Sequence, residues 1–176
     1  LAKGTTALRS YSIANAPRAD GKLEFHIKQQ PGGLFSEYLF KLAKPGDMLK
    51  LVGPQGSFFY RTSKPARHLI FLATGTGLAP CKAILEGLAA QSTEPREVWL
   101  YWGNRQLQDF YWQPESMANF TLHQVNVASR EQADWAGARG HVQDQLRRDF
   151  PQCDDLAVYA CGSEAMIRDA RSILIA

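Results

Sequence analysis

Residues 68–80 read HLIFLATGTGLAP, and the fold turns on how this stretch is parsed. His68 to Ala73 is an apolar run of strand length, as expected for a strand buried on both faces. It breaks at Thr74-Gly75-Thr76-Gly77, after which Leu78, Ala79, Ala83, Ile84, Leu85 and Leu88 recur at helical spacing, with the helix expected to end near Gln91. A strand, a glycine-rich turn and a helix in that order leave unpaired backbone N–H groups at the helix start. The helix dipole adds partial positive charge there, so the turn suits a phosphate. Glycine permits an approach that a Cβ would block, and Pro80 falls in the first turn, where its missing N–H costs nothing. Taken alone, the stretch reads equally well as an ordinary strand-to-helix connection.

The residues downstream repeat the pattern. Glu97 to Gly103 (EVWLYWG) reads as a second buried strand, followed by Asn104-Arg105. Leu107 to Asn119 reads as a helical or irregular crossover rich in aromatics. Thr121 to Ala128 is a third strand ending at Ser129-Arg130, Val142 to Asp149 is a helix, and Leu156 to Ala160 is a fourth strand ending at Cys161-Gly162-Ser163. An amphipathic helix over Glu164 to Leu174 follows. Strands alternating with helices predict a doubly wound parallel sheet, and polar or glycine residues follow the carboxyl end of every strand, where such sheets bind ligands.

The front of the chain has a different grammar. Leu8 to Ala14 and Lys22 to Lys28 read as strands joined by turn chemistry at residues 15–21, which predicts an antiparallel hairpin. A loop at Gln29 to Gly33 precedes a short helix from Leu34 to Leu42. Asp47 to Val52 and the aromatic run Phe58 to Tyr60 read as further strands flanking the turn at residues 53–56. Three or four such strands close poorly, since a small barrel needs about five or six. The expectation is therefore an incomplete antiparallel β-barrel over residues 1–62, followed by the α/β domain over residues 63–176.

Composition bounds the function. The 176 residues are 45% hydrophobic and 21% charged, and no run approaches the roughly 18–20 apolar residues of a membrane span. Residues 1–62 carry nine Lys/Arg against four Asp/Glu, and residues 63–176 carry eleven against thirteen. A basic front suits an anionic cofactor or an acidic partner, but it lacks the clustered cations interleaved with aromatics of a nucleic-acid binder. Cys81, Cys153 and Cys161 are too few and too scattered for a disulfide framework or a four-cysteine iron–sulfur site, and no metal site is expected. The expected compartment is the cytoplasm. The chain starts at Leu1 instead of Met and ends on SILIA, which reads as a segment of a longer protein.

Seven motifs stand in order: RSYS (9–12), GGLFS (32–36), GPQGSFF (53–59), ATGTGLAP (73–80), YWGNR (101–105), ASREQADWAGARGHVQD (128–144) and YACGS (159–163). Together they resemble the ferredoxin–NADP reductase superfamily, and within it the NAD(P)H-dependent flavin reductases of bacterial oxygenase and dehydratase systems. The resemblance implies FAD and NAD(P)H as cofactors. It places Arg9 on the flavin pyrophosphate, Tyr11 against the isoalloxazine, and Ser12 toward the reactive N5. Gly32, Gly33, Leu34 and Ser36 would hold the FAD pyrophosphate, with His26, Ile27 and Lys28 along the pyrimidine edge and phosphates. Thr74, Gly75, Thr76, Gly77 and Pro80 would hold the NAD(P)H pyrophosphate. Gly103, Asn104 and Arg105 would border the coenzyme, and Cys161, Gly162 and Ser163 would lie beside the nicotinamide.

Hydride transfer between two stacked rings needs them about 3–3.5 Å apart, so the protein's task is positioning. Ser12 and Cys161 are the side chains expected at the reacting atoms, Cys161 as a small polarisable wall and not as a nucleophile. Ser129 and Arg130 are the expected coenzyme selectors, with Arg105 and Arg139 assisting; the pair suits the 2′-phosphate of NADPH, although relatives with similar segments use NADH. The implied acceptor is a ferredoxin, another iron–sulfur protein or an oxygenase component. A free-flavin reductase and a non-catalytic electron-transfer or nucleotide-binding subunit needing a partner chain are the alternatives.

Overall fold

The run of five buried residues in His68–Thr74 (β1) makes it the centre of the molecule. Its odd positions Leu69, Phe71 and Ala73 face one core and its even positions Ile70 and Leu72 the other, as alternation requires when both faces of a strand are covered. The computed structural model describes residues 8–61, 66–90, 97–114, 119–130 and 135–175. The expected domain boundary at residues 62 and 63, the last expected helical residue Gln91, part of the 107–119 crossover and residues 131–134 of the long motif lie outside these.

Beside β1 lie Glu97–Asn104 (β2) and Leu156–Cys161 (β5), with Thr121–Ala128 (β3) and the two-residue Ala138–Arg139 (β4) further out, all parallel in the order β4-β3-β2-β1-β5. Leu34–Lys41 (α1) belongs to the front of the chain. Leu78–Ala89 (α2) covers one sheet face with Leu78, Cys81, Leu85 and Leu88. Val142–Asp149 (α3) and Glu164–Ile175 (α4) cover the other with Val142, Leu146, Met166 and Ala170. Helices on both faces of a parallel sheet are the doubly wound arrangement, and each fully buried Leu, Ile or Phe contributes about 1.5–3 kcal/mol to it.

The front half departs from the expected ladders. The two expected hairpin strands meet at a single antiparallel bridge, Ile13 with Phe25, reinforced by Ala14 N–H donating to Glu24 O at 2.8 Å. The turn between them is held by the side chain of buried Asn15, whose Oδ1 accepts from Glu24 N–H at 2.6 Å and whose Nδ2 donates to Lys22 O at 3.1 Å. Residues 47–52 and 58–60 are not strands; Leu49, Leu51, Val52 and Phe59 are at least half exposed. Their β-forming composition has no neighbouring backbone to pair with among the described residues, and a strand without a ladder is not a stable element. Among its described residues, the crossover after β2 holds a short 3-10 turn at Leu107–Asp109 and no helix. β4 went unforeseen, because two residues carry no readable alternation.

Polar contacts fasten the front half to α2. Lys82, 6% exposed, donates to Ala14 O at 3.0 Å, Glu24 Oε2 at 3.0 Å and Glu86 Oε1 at 2.5 Å, while Ala16 N–H donates to Glu86 Oε2 at 3.0 Å. On β5, the Tyr159 hydroxyl accepts from Arg61 N–H at 2.9 Å, and its ring packs against Phe58, Tyr60 and Phe71.

Candidate active site

A cleft of about 740 Å³ runs along the carboxyl ends of β1, β2, β3 and β5, and the front half supplies its opposite wall. The turn after β1 is fixed from two sides. Trp102, fully buried on β2, donates its indole N–H to Gly75 O at 3.0 Å, and Ser163 N–H donates to Thr74 Oγ1 at 2.9 Å. Gly75 has φ +54 and Gly162 φ +150, conformations that strain an L side chain; a Cβ on Gly162 would also lie 2.0 Å from Thr74 Oγ1. The GTG turn and the CGS turn are thus locked together. Trp102→Phe, which deletes the indole donor and shrinks a buried side chain, is expected to lower unfolding free energy by about 1–3 kcal/mol in a urea titration.

The first turn of α2 contains no acidic residue and no side-chain cap; the Leu78 N–H is taken by carbonyls of the Gly75–Gly77 turn, and no side-chain charge offsets the helix dipole at that end. Pro80 is buried inside that turn and does not line the cleft. Its missing N–H is one the helix would not have used.

Fifteen sequence-predicted residues meet at this one surface: Tyr11, Ser12, His26 and Lys28 on one side, Thr74 to Gly77, Gly103 to Arg105, Ser129 and Cys161 to Ser163 on the other. Several expected residues lie outside its lining. Arg9 is exposed and donates from Nη1 to its neighbour Leu8 O at 2.7 Å. Ile27 is half-buried in the front wall. In the 32–36 turn, Ser36 is buried, and its hydroxyl donates to Gln30 O at 2.9 Å and accepts from Gln30 N–H at 3.1 Å, closing that loop on itself. Gly32, Gly33 and Leu34 stand with it at the start of α1, away from the cleft. Arg130 is exposed at the edge, its N–H donating to Arg105 O at 3.0 Å, just as Ser129 N–H donates to Asn104 O at 3.0 Å.

Cys161 is half-buried, and burial pushes its thiol above the ordinary value, so it meets the cleft as a neutral group. Cys81 beneath it is driven up further, by burial first and then by Cys161. Neither has the depressed pKa of a nucleophile.

The sequence reading missed the third wall, Gly140, His141, Val142 and Gln143 at the start of α3. The available signal was Gly140, here at φ +98, standing directly before the helical run. Gln143 is 5% exposed, and its Oε1 has no hydrogen-bond partner; the same holds for Asn104 Nδ2. An acceptor and a donor left unpaired in one cleft fit a polar ligand that offers both, since an unpartnered buried polar atom costs about 1–3 kcal/mol. A dinucleotide, with its phosphates, hydroxyls and amide, meets that description.

Comparison with known proteins identifies the family. The oxidoreductase NAD-binding domain family matches residues 71–172, and the oxidoreductase FAD-binding domain family matches residues 1–60. The CDP-6-deoxy-L-threo-D-glycero-4-hexulose-3-dehydrase reductase of Yersinia pestis is 39% identical over 95% of this chain and 51% of its own length. The xylene/toluene monooxygenase electron transfer component XylA of Pseudomonas putida is 33% identical over 97% of this chain and 49% of its own. Among solved structures, the cytochrome P450 reductase GcoB of Amycolatopsis superposes with a TM-score of 0.81 at 30% identity, covering 98% of this chain and 54% of that one. The chain thus spans about half the length of the curated relatives it matches. It belongs to the oxidoreductase NAD-binding domain family, preceded by an oxidoreductase FAD-binding domain, the pairing found in the ferredoxin–NADP reductase superfamily.

Proposed function

We propose that this chain forms the cofactor-handling part of an NAD(P)H-dependent flavoprotein oxidoreductase. It takes hydride from NAD(P)H onto FAD and passes electrons to an iron–sulfur or oxygenase-type protein. The observation that carries the reading is the single cleft with Tyr11 and Ser12 on one wall and Thr76 and Cys161 on the other. Residues 1–62 serve the flavin and residues 63–176 the nicotinamide coenzyme. The cytoplasm suits the three unpaired cysteines.

The two cofactors supply the redox chemistry. The chain's residues hold and orient them. The Thr74–Gly77 turn and the start of α2 offer backbone donors to a pyrophosphate, and Asn104 and Gln143 offer their unpaired atoms to the coenzyme. Tyr11 offers an aromatic face, its ring 5.8 Å from that of Phe35, and Ser12 a hydroxyl near the reacting ring. Cys161 supplies a compact wall that keeps water out without donating charge. One relative named above is a dehydrase reductase and another a monooxygenase electron transfer component, which supports a protein acceptor.

Mixing the full-length protein with FAD and then NADPH or NADH should bleach the flavin band near ~450 nm. No bleaching with either coenzyme overturns the proposal. Weak flavin retention with rapid turnover of added FMN points instead to a free-flavin reductase. Flavin held only in a copurified complex points to a subunit that needs its partner.

Ser129 and Arg130 are proposed to select the coenzyme from the rim beside Asn104 and Arg105. Arg130→Ala is expected to raise KM for NADPH about tenfold and leave KM for NADH within twofold, because only the former carries a phosphate for the guanidinium to fork onto. Equal effects on both coenzymes would remove Arg130 from that role.

A further inference from the structure

His26 stands on the front wall of the cleft with a side chain only 10% exposed, and both of its ring nitrogens are already engaged by the protein. Nε2 lies 3.0 Å from Glu24 Oε1, and Nδ1 lies 2.8 Å from the Tyr111 hydroxyl. A carboxylate only accepts, so Nε2 carries a proton, and in the Nε2–H tautomer Nδ1 accepts from the Tyr111 hydroxyl. Glu24 is itself anchored by Lys82 Nζ at 3.0 Å and by Arg18 Nη2 at 3.4 Å. On the far side, the Tyr111 ring meets His26 edge-on at 5.1 Å and Trp102 edge-on at 5.0 Å, and Trp102 holds the Gly75 carbonyl.

We infer that Glu24, His26 and Tyr111 form a latch across the cleft, in which Glu24 fixes the His26 ring so that Tyr111 ties the flavin-side wall to the coenzyme-side turn. The inference rests on the functional reading above and extends it to three positioning residues. His26 then has no ring nitrogen to offer a ligand; it presents carbon to the cleft and sets where the wall stands. Continuity is the supporting feature. Lys82 on α2, Glu24 and His26 on the front half, Tyr111 on the crossover and Trp102 on β2 make a closed circuit that returns to the Gly75 turn. The Lys82–Glu24, His26–Tyr111 and Trp102–Gly75 links each join groups far apart in sequence, so the circuit fixes the separation of the walls, and small errors in that separation are costly for transfer between stacked rings.

The test has two arms. In long-range proton–nitrogen NMR of the unmodified protein, His26 should show Nε2 protonated and Nδ1 as an acceptor. Glu24→Ala should mix the two tautomers, and Tyr111→Phe should shift Nδ1 alone. In the flavin-loaded full-length protein, both variants should slow hydride transfer in a single turnover by about five- to tenfold, with coenzyme and flavin dissociation constants within about twofold of normal. Glu24→Gln keeps an acceptor oxygen for Nε2–H and should restore most of the rate. A His26 ring exchanging between tautomers in the unmodified protein overturns the inference, as does an altered tautomer with an unaltered rate. If the unmodified protein reduces no flavin, the functional reading fails instead. The tautomer spectrum then decides by itself whether the latch stands.

Discussion

Gly77→Ala is expected to cost at least a hundredfold in coenzyme-driven flavin reduction and to lower unfolding free energy by about 3 kcal/mol. The backbone itself would accept alanine, since Gly77 sits at φ −60 and ψ −12 in the ordinary helical region. The obstacle is space. A Cβ there would lie 2.2 Å from Cys161 O, 2.6 Å from Cys161 C and 2.8 Å from Gly162 Cα. All three atoms are backbone, so no side chain can swing aside, and the phosphate turn and the end of β5 must part. That places the substitution at the severe end of overpacking. Gly87→Ala is the control on the same helix. Its Cβ would meet nothing within 4 Å, so it should stabilise the helix by about 0.5–1 kcal/mol and spare activity. Urea unfolding and stopped-flow flavin reduction separate the two outcomes, and a fully active Gly77→Ala would refute the tight join between the turns.

Lys82→Met should destabilise by about 3 kcal/mol, the lower end of the range for breaking a buried ion pair. The lower end applies because Glu24 and Glu86 keep 35% and 27% of their side chains exposed, so water partly compensates the stranded carboxylates. Adding Glu24→Gln and Glu86→Gln should recover much of the loss, since no uncompensated charge then remains. Acid should produce a related effect. Burial pushes the Glu24 carboxyl up, but hydrogen bonds from His26 and Lys82 outweigh it and hold the group below its ordinary value of 4.5. A depressed folded-state pKa contributes stability above pH 4.5 that is lost as pH falls below it. The difference between unfolding free energies at pH 7 and pH 4 should therefore be smaller for Lys82→Met than for the unmodified protein, the His26 hydrogen bond retaining part of it. Parallel behaviour of the two would show that Lys82 does not sustain the ionised carboxylate.

The α/β half was legible because its central strands are near-continuous apolar runs closed by a turn signal, as His68–Thr74 and its GTG show. The front half was misread at residues 47–60, because propensity reports what a residue tolerates and not whether a partner strand exists beside it. Among site residues, the glycines and Cys161 were readable as strand-end punctuation. His141 and Gln143 were not, since a polar residue in the first turn of a helix looks solvated until the sheet beneath it is placed. The Glu24–His26 link was partly visible, as alternation puts both on one face, but Tyr111 lies across a connection with no periodicity to fix it.

The pairing of β1 with β5 carries a consequence for synthesis. His68 finds its β5 partner, Leu156, only eighty-eight residues later in the chain. At about 5–20 residues per second on the ribosome, one edge of the most apolar strand waits on the order of ten seconds for its neighbour. Until then the nascent chain presents Leu69, Phe71 and Ala73 beside an open row of amides and carbonyls, a target for chaperones and for mispairing with other polypeptides.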